Sequence, residues 1–463
     1  MISAAVLWIA LPLVVAVLLW VLQSRRIFTL ISASVMSLLL ALLAWILPID
    51  NAIKLGPLSV EVSSTATILG RNFVLTSADS HLLLLIFLLG GIFFLSGLLL
   101  RANRFFAPLG IAMIALLVAA LAVEPFLFSA LLIEMAVLVS VPLLSPPGHP
   151  VSKGVLRYLI FQTLAMPFIL FAGWVFGGVA INPADTQLLV QSVVLLGFGF
   201  AFWLAVFPLY TWIPLLAEEV SPFTAGFVLS LLPTVILFLM LQFFNGFPWL
   251  WQYPVLRTAL RLVGVLMAAT GGAWAIFERN LNRLMGYAVI IENGYALLAL
   301  SLGDANGLNL FAMMFLPRLA ALLLWSGALT VLSGGGSLTF AETGALLRRK
   351  PFASVSLLVA VFSMGGLPLL AGMPARLALL QSLSEVSFSN VLWAALGSVG
   401  LLFGGGRILS YMVLGEGGGQ IEEGWVQRIV LSGGAVFLLL AGVFPGWFLP
   451  LMSPLLAAFE RLR

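Results

Sequence analysis

The chain has no cysteine, only two histidines and few charges. Because its 463 residues include no cysteine, thiolate-held iron–sulfur clusters, cysteine-ligated zinc and disulfides are excluded. The two histidines, His81 and His149, are too few and too badly placed for a bis-histidine haem. We therefore expect this chain to bind no redox cofactor and no metal of its own.

Charged residues make up only 8% of the sequence, and apolar residues make up 62%. A soluble domain with so few charges could not cover its surface, whereas a helix bundle in lipid is apolar outside and can be nearly so inside. The composition predicts a polytopic protein embedded in the lipid bilayer. The net charge of +4 reflects basic loops on one side of the membrane and not nucleic-acid binding.

Long apolar runs predict an all-α fold. Counting runs of roughly 18 to 25 apolar residues gives about fourteen transmembrane helices. The first lacks a basic start and a small-residue cleavage site, so we expect it to stay in the mature protein. The segments are near residues 3–22, 27–48, 81–100, 105–123, 125–144, 154–178, 186–209, 222–243, 255–277, 284–302, 308–331, 352–383, 389–414 and 427–452.

The distribution of Lys and Arg predicts the orientation. If the loops alternate between two sides, one side has about twice as many Lys and Arg residues as the other. The positive-inside rule makes the richer side cytoplasmic, which puts both termini on the outer side. Residues 49–80 then form an extended outer loop in which we expect short strands.

Glu134 lies near the middle of the apolar run 125–144. An ionisable group at that depth costs about 3 kcal/mol on insertion scales, so it usually faces a protein-lined cavity, pairs with a cation or takes part in moving ions. This position favours transport. The alternative is a neutral carboxylic acid that only hydrogen-bonds between helices.

Two apolar segments contain helix breakers at their centres: Phe207-Pro-Leu-Tyr-Thr-Trp-Ile-Pro214 and Gly365-Gly-Leu-Pro-Leu-Leu-Ala-Gly-Met-Pro-Ala-Arg376. Proline removes a helical hydrogen bond, and transporters use such breaks to line ion or water paths. Each break falls in the fourth helix of a five-helix block, which predicts two inverted repeats. The broken-helix prolines are Pro208, Pro214, Pro368 and Pro374.

The predicted organisation has four parts. Residues 1–104 carry the first three helices and the outer loop, and residues 105–243 form the first five-helix repeat. Residues 255–414 form the second repeat, and residues 415–463 carry the C-terminal helix.

Four motifs stand in order along the chain: Phe126-Leu-Phe-Ser-Ala-Leu-Leu-Ile-Glu134, the first break with Glu218-Glu-Val-Ser-Pro222, Arg279-Asn-Leu-Asn-Arg-Leu-Met-Gly-Tyr287 with Asn293-Gly-Tyr295, and the second break. Their order resembles the antiporter-like membrane subunits of respiratory complex I, an NADH–quinone oxidoreductase. That family is shared with Mrp-type antiporters and membrane-bound hydrogenases. The likeness runs over nearly the whole chain.

The resemblance implies a row of buried Lys and Glu residues, joined by water, along which protons move. Much of this row is missing from the present sequence. The seventh- and eighth-helix lysines of the family align with Trp203 and Val235, which cannot carry a proton. Glu292 sits where the family often has His or Gln. This chain also has Asn280 and Asn282 where the family has Asp and Lys before the tenth helix. It has Tyr210 where the family has a histidine, and Arg376 where the family has the twelfth-helix lysine.

The residues left as proton-path candidates are Glu134, Glu292, Arg318, Arg376 and Tyr210. Without a nearby lysine, burial favours a protonated Glu134, unless Lys153 or Arg157 turns back toward it. An arginine can set a field or hold a carboxylate but cannot release a proton in a cycle.

Arg318 needs a partner at its depth, and we expect it to be Glu292. For Arg376 we expect either Glu385 or carbonyls freed by the break.

Three functions are compatible with these residues. The first is a membrane-arm subunit, most similar to the N-type, of a complex I-like oxidoreductase, with other membrane-arm subunits as partners. NADH, FMN, iron–sulfur clusters and quinone would then belong to partner subunits, and protons or sodium would be the ion. The second is a subunit of an Mrp antiporter or membrane-bound hydrogenase. The third is a scaffold in the membrane arm that transports nothing. The expected location is the inner membrane of a prokaryote.

Overall fold

The computed structural model describes residues 2–50, 52–55, 58–68, 70–100, 102–148, 150–181, 186–415, 423–447 and 449–462. His149 lies outside the described residues. The chain is mainly helical, and a π-helical turn, Val6–Ala10, leads into the first α-helix.

The helices are α1 Leu11–Val21, α2 Arg26–Ile46, α3 Ser80–Leu99, α4 Phe106–Ala122, α5 Ser129–Leu144, α6 Lys153–Ile181, α7 Thr186–Trp203, α8 Trp212–Glu219, α9 Pro222–Gly246, α10 Pro248–Gln252, α11 Pro254–Phe277, α12 Leu281–Leu300, α13 Ala305–Ser333, α14 Leu346–Arg349, α15 Pro351–Gly365, α16 Met373–Val386, α17 Phe388–Leu414, α18 Trp425–Val443 and α19 Leu449–Met452.

Nine helices in the described part of the chain are long and apolar enough to cross a membrane, and four further apolar helices are shorter. The all-helical membrane class is therefore confirmed. The count of about fourteen crossings and the inverted relation of the two blocks stay predictions.

Two small sheets accompany the helices. The strands are β1 Ile2–Ser3, β2 Ala52–Leu55, β3 Leu58–Ser63, β4 Thr65–Ile68, β5 Arg71–Val74 and β6 Val123–Glu124. In the first sheet β3 pairs antiparallel with β2 and parallel with β1, with Ile2 opposite Val62. In the second, β5 lies between β4 and β6, and Phe73 is opposite Val123. Four of the six strands lie in the loop where the sequence predicts them.

The helix limits follow ordinary capping chemistry. Helices α9, α11 and α15 begin with proline, whose missing N–H would have no partner at that position. The Asn280 side chain caps α12 by accepting hydrogen bonds from the backbone N–H groups of Asn282 and Arg283. Helix α13 ends at Gly334, whose φ of 69° is left-handed.

The core is formed by α9 and α12, whose residues are nearly all buried. Helix α12 packs against α8, α11 and α13, and α9 packs against α4 and α13. Two interrupted helices flank this core. Helix α7 ends at Trp203 and α8 begins at Trp212, while α15 ends at Gly365 and α16 begins at Met373.

The predicted segment 186–209 is wrong at its end, because the α-helix stops six residues earlier, at Trp203. Three residues of the interval, Leu209–Thr211, form a 3-10 turn before α8. The backbone N–H that residue 208 would donate in a continuing helix is absent because that residue is proline.

Candidate functional site

Helix α12 carries two adjacent polar side chains, Glu292 and Asn293, in the centre of the bundle. Glu292 is 6% exposed and Asn293 is 0% exposed. Successive residues of an α-helix point about 100° apart, so these neighbours face different partners. Asn293 contacts the first helix break, and Glu292 contacts the second.

At the first break, Pro208 leaves the Leu204 carbonyl without its helical donor, since that donor would be the N–H of residue 208. The Asn293 side-chain Nδ2 donates a hydrogen bond to this carbonyl at 3.3 Å. A freed carbonyl at this depth needs such a partner, because lipid supplies none. Asn293 therefore holds α12 to the end of α7.

At the second break, Pro368 frees the Met364 carbonyl in the same way, four residues upstream. The Arg376 guanidinium donates to this carbonyl and, through Nη2, to the Glu292 carboxylate. It also donates to Ser398 Oγ at 3.2 Å and lies 4.4 Å from the centre of the Tyr295 ring. Arg376 is 5% exposed, so this is a buried ion pair.

Two glycines shape the second break. Gly366 has φ 78° and closes the end of α15, a conformation that a residue with a Cβ adopts at a cost. A Cβ at Gly372 would overlap the Ser363 carbonyl. The returning chain thus lies close against α15, which brings Arg376 within reach of Met364.

Arg318, on α13, is 3% exposed and donates from Nη2 to the Asn293 Oδ1 at 2.7 Å. Its Nε and Nη1 have no hydrogen-bond partner among the described residues. The predicted Arg318–Glu292 pair is wrong. The Glu292 carboxylate binds Arg376 instead, because α12 points Asn293, not Glu292, at the Arg318 guanidinium.

Of the two partners expected for Arg376, Glu385 is exposed at the far end of α16, and the freed carbonyl is the one that Arg376 contacts. Glu292, Arg318 and Arg376 together line a cavity of about 10 Å³. That is about the space one water molecule needs. The Arg318 guanidinium thus lines the same cavity as the Arg376–Glu292 ion pair.

In the first block, Glu134 is partly buried on α5 and accepts a 2.7 Å hydrogen bond from the Thr163 hydroxyl of α6. Its other oxygen, Oε2, has no partner among the described residues. Lys153 and Arg157 are exposed, and no ion pair joins either to Glu134 in the described part of the chain.

Buried polar atoms on α6 and α8 also lack partners among the described residues. Gln162, next to Thr163, is fully buried, and neither its amide oxygen nor its nitrogen has a partner among the described residues. The same holds for the indole N–H of Trp212, whose ring lies 5.5 Å from that of Tyr158. Buried polar atoms of this kind are usually satisfied by water.

Tyr210 lies in the 3-10 turn of the first break and is partly exposed. Its ring stacks on Phe207, with centroids 5.9 Å apart, and lies 6.5 Å from Tyr287 of α12. Of the prolines, Pro208 and Pro368 lie in the two breaks, while Pro214 and Pro374 lie in the first turns of α8 and α16.

At four positions the resemblance implies a basic or acidic side chain that this chain lacks. The residues found there are either buried and apolar or make hydrogen bonds that hold the fold together. Trp203 and Val235 are 1% and 0% exposed. Asn280 caps α12 and donates to Ser337 Oγ at 2.6 Å, and Asn282 donates to the Gly336 carbonyl at 3.4 Å. These asparagines tie the start of α12 to the loop after α13.

The sequence prediction did not identify the contacts of Asn293, Thr163 or Ser398. The signal for Asn293 was present, because a proline four residues after a buried carbonyl requires a donor from elsewhere. Nothing in the sequence indicated which side chain supplies it. Within the described ranges, no cluster of three or more His, Cys, Asp or Glu residues could hold a metal ion.

Comparison with known proteins places this geometry in a family. Residues 158–404 match the family model described as NADH:quinone oxidoreductase/Mrp antiporter, TM. The NADH-quinone oxidoreductase subunit N 2 of Acidobacterium capsulatum is 29% identical over 321 residues, which cover 64% of this chain and 65% of the relative. The chain thus spans slightly less than two thirds of that relative's length.

Two solved structures have the same fold. A chain of the membrane-bound sulfane sulfur reductase, an archaeal respiratory membrane complex, superposes with a TM-score of 0.83 at 19% identity, covering 99% of this chain and 97% of that one. A chain of respiratory complex I from Thermus thermophilus with bound NADH gives 0.75 at 23% identity and covers 99% of both. Since the family model matches more than half of its residues, the chain belongs to the NADH:quinone oxidoreductase/Mrp antiporter transmembrane family.

Proposed function

We propose that the chain is a membrane-arm subunit of a complex I-like NADH–quinone oxidoreductase and takes part in the proton translocation that accompanies electron transfer to quinone. The subunit N relative supports the N-type position in the arm. NADH, FMN, iron–sulfur clusters and quinone belong to partner subunits in this proposal. The chain itself lies in a prokaryotic inner membrane with both termini outside.

The observation that carries the proposal is the buried Arg376–Glu292 ion pair at the second helix break. Charged groups at membrane depth are costly and usually belong to ion pathways, where they pair with one another or with backbone carbonyls. Arg376 does both. The small cavity beside it, lined also by Arg318, supplies room for a water next to the carboxylate.

Within this role the chain is a pumping-impaired copy. Arginine does not act as a proton relay, so in this proposal Arg318 and Arg376 supply a positive field only. In the first block, Glu134 has no cation within 4.0 Å among the described residues, and Trp203 and Val235 are apolar and buried. Glu134 and Glu292 are the groups left to exchange a proton.

Two alternative functions are each supported by a specific observation. The family description includes Mrp antiporters, which supports a cation/proton antiporter subunit that moves sodium or protons. The loss of lysine at Trp203 and Val235 supports a scaffold that fills its place in the arm and transports nothing.

The test is turnover-coupled proton pumping by the assembled complex in vesicles. Glu134→Gln and Glu292→Gln are compared with Glu385→Gln, which removes an exposed carboxylate of α16. We expect Glu385→Gln to match the native complex. We expect at least one of the other two variants to lower the proton-to-electron ratio while assembly is intact.

If assembly and the proton-to-electron ratio are unchanged in both variants, the chain is a scaffold and the transport proposal fails. If sodium replaces protons in the coupled flux, the antiporter alternative is favoured.

A further inference from the structure

Helices α3, α13 and α18 line a large apolar cavity that is partly open at the surface of the bundle, since Ile92 and Val430 are 36% and 43% exposed. Its volume is about 540 Å³. The lining is almost entirely aliphatic and aromatic, with Ile92 from α3, Leu323 from α13 and Val430 and Phe437 from α18. An exposed apolar surface of this kind marks a contact site, and in the membrane an apolar group from outside the chain covers it.

The apolar cavity adjoins a second, polar pocket at the ends of α3 and α13. Five residues line both spaces: Leu99, Leu100, Phe223, Val331 and Gln427. The second pocket has a volume of about 880 Å³ and lies where α3 and α13 end. The two spaces therefore lie side by side, one apolar along the helices and the other polar at their ends.

Among the described residues, the polar pocket is lined by one charged side chain of each sign, Lys350 and Glu219. Lys350 donates through Nζ to the carbonyls of Val331 at 2.6 Å and Leu332 at 3.4 Å, which leaves one of its three donors. Glu219 accepts the backbone N–H of Gly154 at 2.5 Å through Oε2 and retains further acceptor capacity on its carboxylate. A ligand with both a negative and a positive group matches this pair.

We propose that this site binds a diacyl phospholipid with a zwitterionic, amine-bearing head group. The acyl chains fill the cavity between α3, α13 and α18, the phosphate meets Lys350, and the ammonium meets Glu219. An anionic head group without an amine would face the Glu219 carboxylate unpaired.

A matched pair of glycines allows a sharp test. Gly433 lines the apolar cavity and Gly406 is exposed on α17, and a Cβ at either position meets nothing within 4 Å. A phenylalanine at Gly433 therefore fills the cavity, whereas one at Gly406 adds the same side chain outside it.

The experiment measures binding of palmitoyl-oleoyl phosphatidylethanolamine to the purified full-length chain by native mass spectrometry. We expect the native chain and Gly406→Phe to retain one molecule and Gly433→Phe to bind at least about tenfold more weakly. We also expect palmitoyl-oleoyl phosphatidylglycerol to bind the native chain about tenfold more weakly than the ethanolamine lipid. This head-group comparison needs no variant, so misfolding of Gly433→Phe cannot hide the result.

Equal binding by Gly433→Phe and Gly406→Phe would overturn the location of the site. Equal binding of the two lipids by the native chain would overturn the role of Lys350 and Glu219. Retention of a neutral quinone in place of the phospholipid, or a partner helix cross-linked to Gly433→Cys in the assembled complex, would overturn the proposed class of ligand.

Discussion

Asn293 donates a hydrogen bond to the Leu204 carbonyl, the acceptor that Pro208 leaves without a helical donor. The same side chain accepts from Arg318. One amide therefore connects α12 to the first break and to a buried cation on α13. This explains why a neutral asparagine occupies the centre of a buried helix.

Asn293→Leu should destabilise the chain by about 3 kcal/mol, because it leaves both a buried carbonyl and a buried guanidinium without their recorded partner. Thermal unfolding in detergent measures the loss. Asn306→Leu is the matched control, since Asn306 is exposed on α13 and its side chain bonds only Ser382 among the described residues. It should shift stability by less than about 0.5 kcal/mol.

The double variant Asn293→Leu with Arg318→Met separates the two parts of that effect. If the guanidinium contributes, the double variant loses less stability than the two single variants added together. Strict additivity would contradict the coupling between Asn293 and Arg318.

Arg376→Met should cost about 3 to 5 kcal/mol, since it leaves the Glu292 carboxylate buried without a cation. Replacing both partners, Arg376→Met with Glu292→Met, should recover part of the loss. Recovery should be incomplete because the Met364 carbonyl still lacks its donor. Unfolding of the three variants in one detergent gives the comparison, and a double variant less stable than Arg376→Met would contradict the ion pair.

The membrane class and the positions of both breaks could be derived from the sequence, because composition and proline positions are local properties. The pairing of charges could not. Glu292 and Asn293 are neighbours in sequence, and only the rotation of α12 in the bundle decides that Glu292 faces Arg376 and Asn293 faces Arg318. A single sequence carries no information on that rotation when the whole helix is buried.

The surroundings of Glu134 show the same limit. Its depth in α5 follows from the apolar run, but its contact with Thr163 depends on the register of α5 against α6. The exposed positions of Lys153 and Arg157 likewise depend on how α6 is turned.

The stability of the chain should depend on pH through Glu342, which lies outside the membrane helices. Its carboxylate accepts hydrogen bonds from the Thr339 backbone N–H at 2.7 Å and the Thr339 hydroxyl at 2.8 Å. These bonds hold the pKa of Glu342 below its ordinary value of 4.5. The stabilisation is therefore complete above the unfolded pKa and is lost as pH falls through the lower, folded pKa.

The measurement is the difference in stability between the native chain and Glu342→Gln as a function of pH. We expect a constant difference above about pH 6 that shrinks between about pH 5 and 3. Glu385→Gln, which removes an exposed carboxylate with no capping role, is the control and should show no loss of stabilisation on acidification. A difference for Glu342→Gln that grew on acidification would contradict the assignment.

Thr163 donates to Glu134 Oε1, and this contact determines how the carboxyl can be tested. Glu134→Gln keeps a side-chain oxygen that accepts from the Thr163 hydroxyl, so it should change stability by less than about 0.5 kcal/mol. Thr163→Val removes the donor at nearly constant volume and should cost about 1 kcal/mol. If Glu134→Gln instead destabilises the chain as much as Glu134→Ala does, the carboxyl has a second partner. A loss of pumping in Glu134→Gln would then result from altered packing and not from the missing proton. If the expected order holds, the Gln variant removes the exchangeable proton and little else, and its pumping ratio measures the role of Glu134 directly.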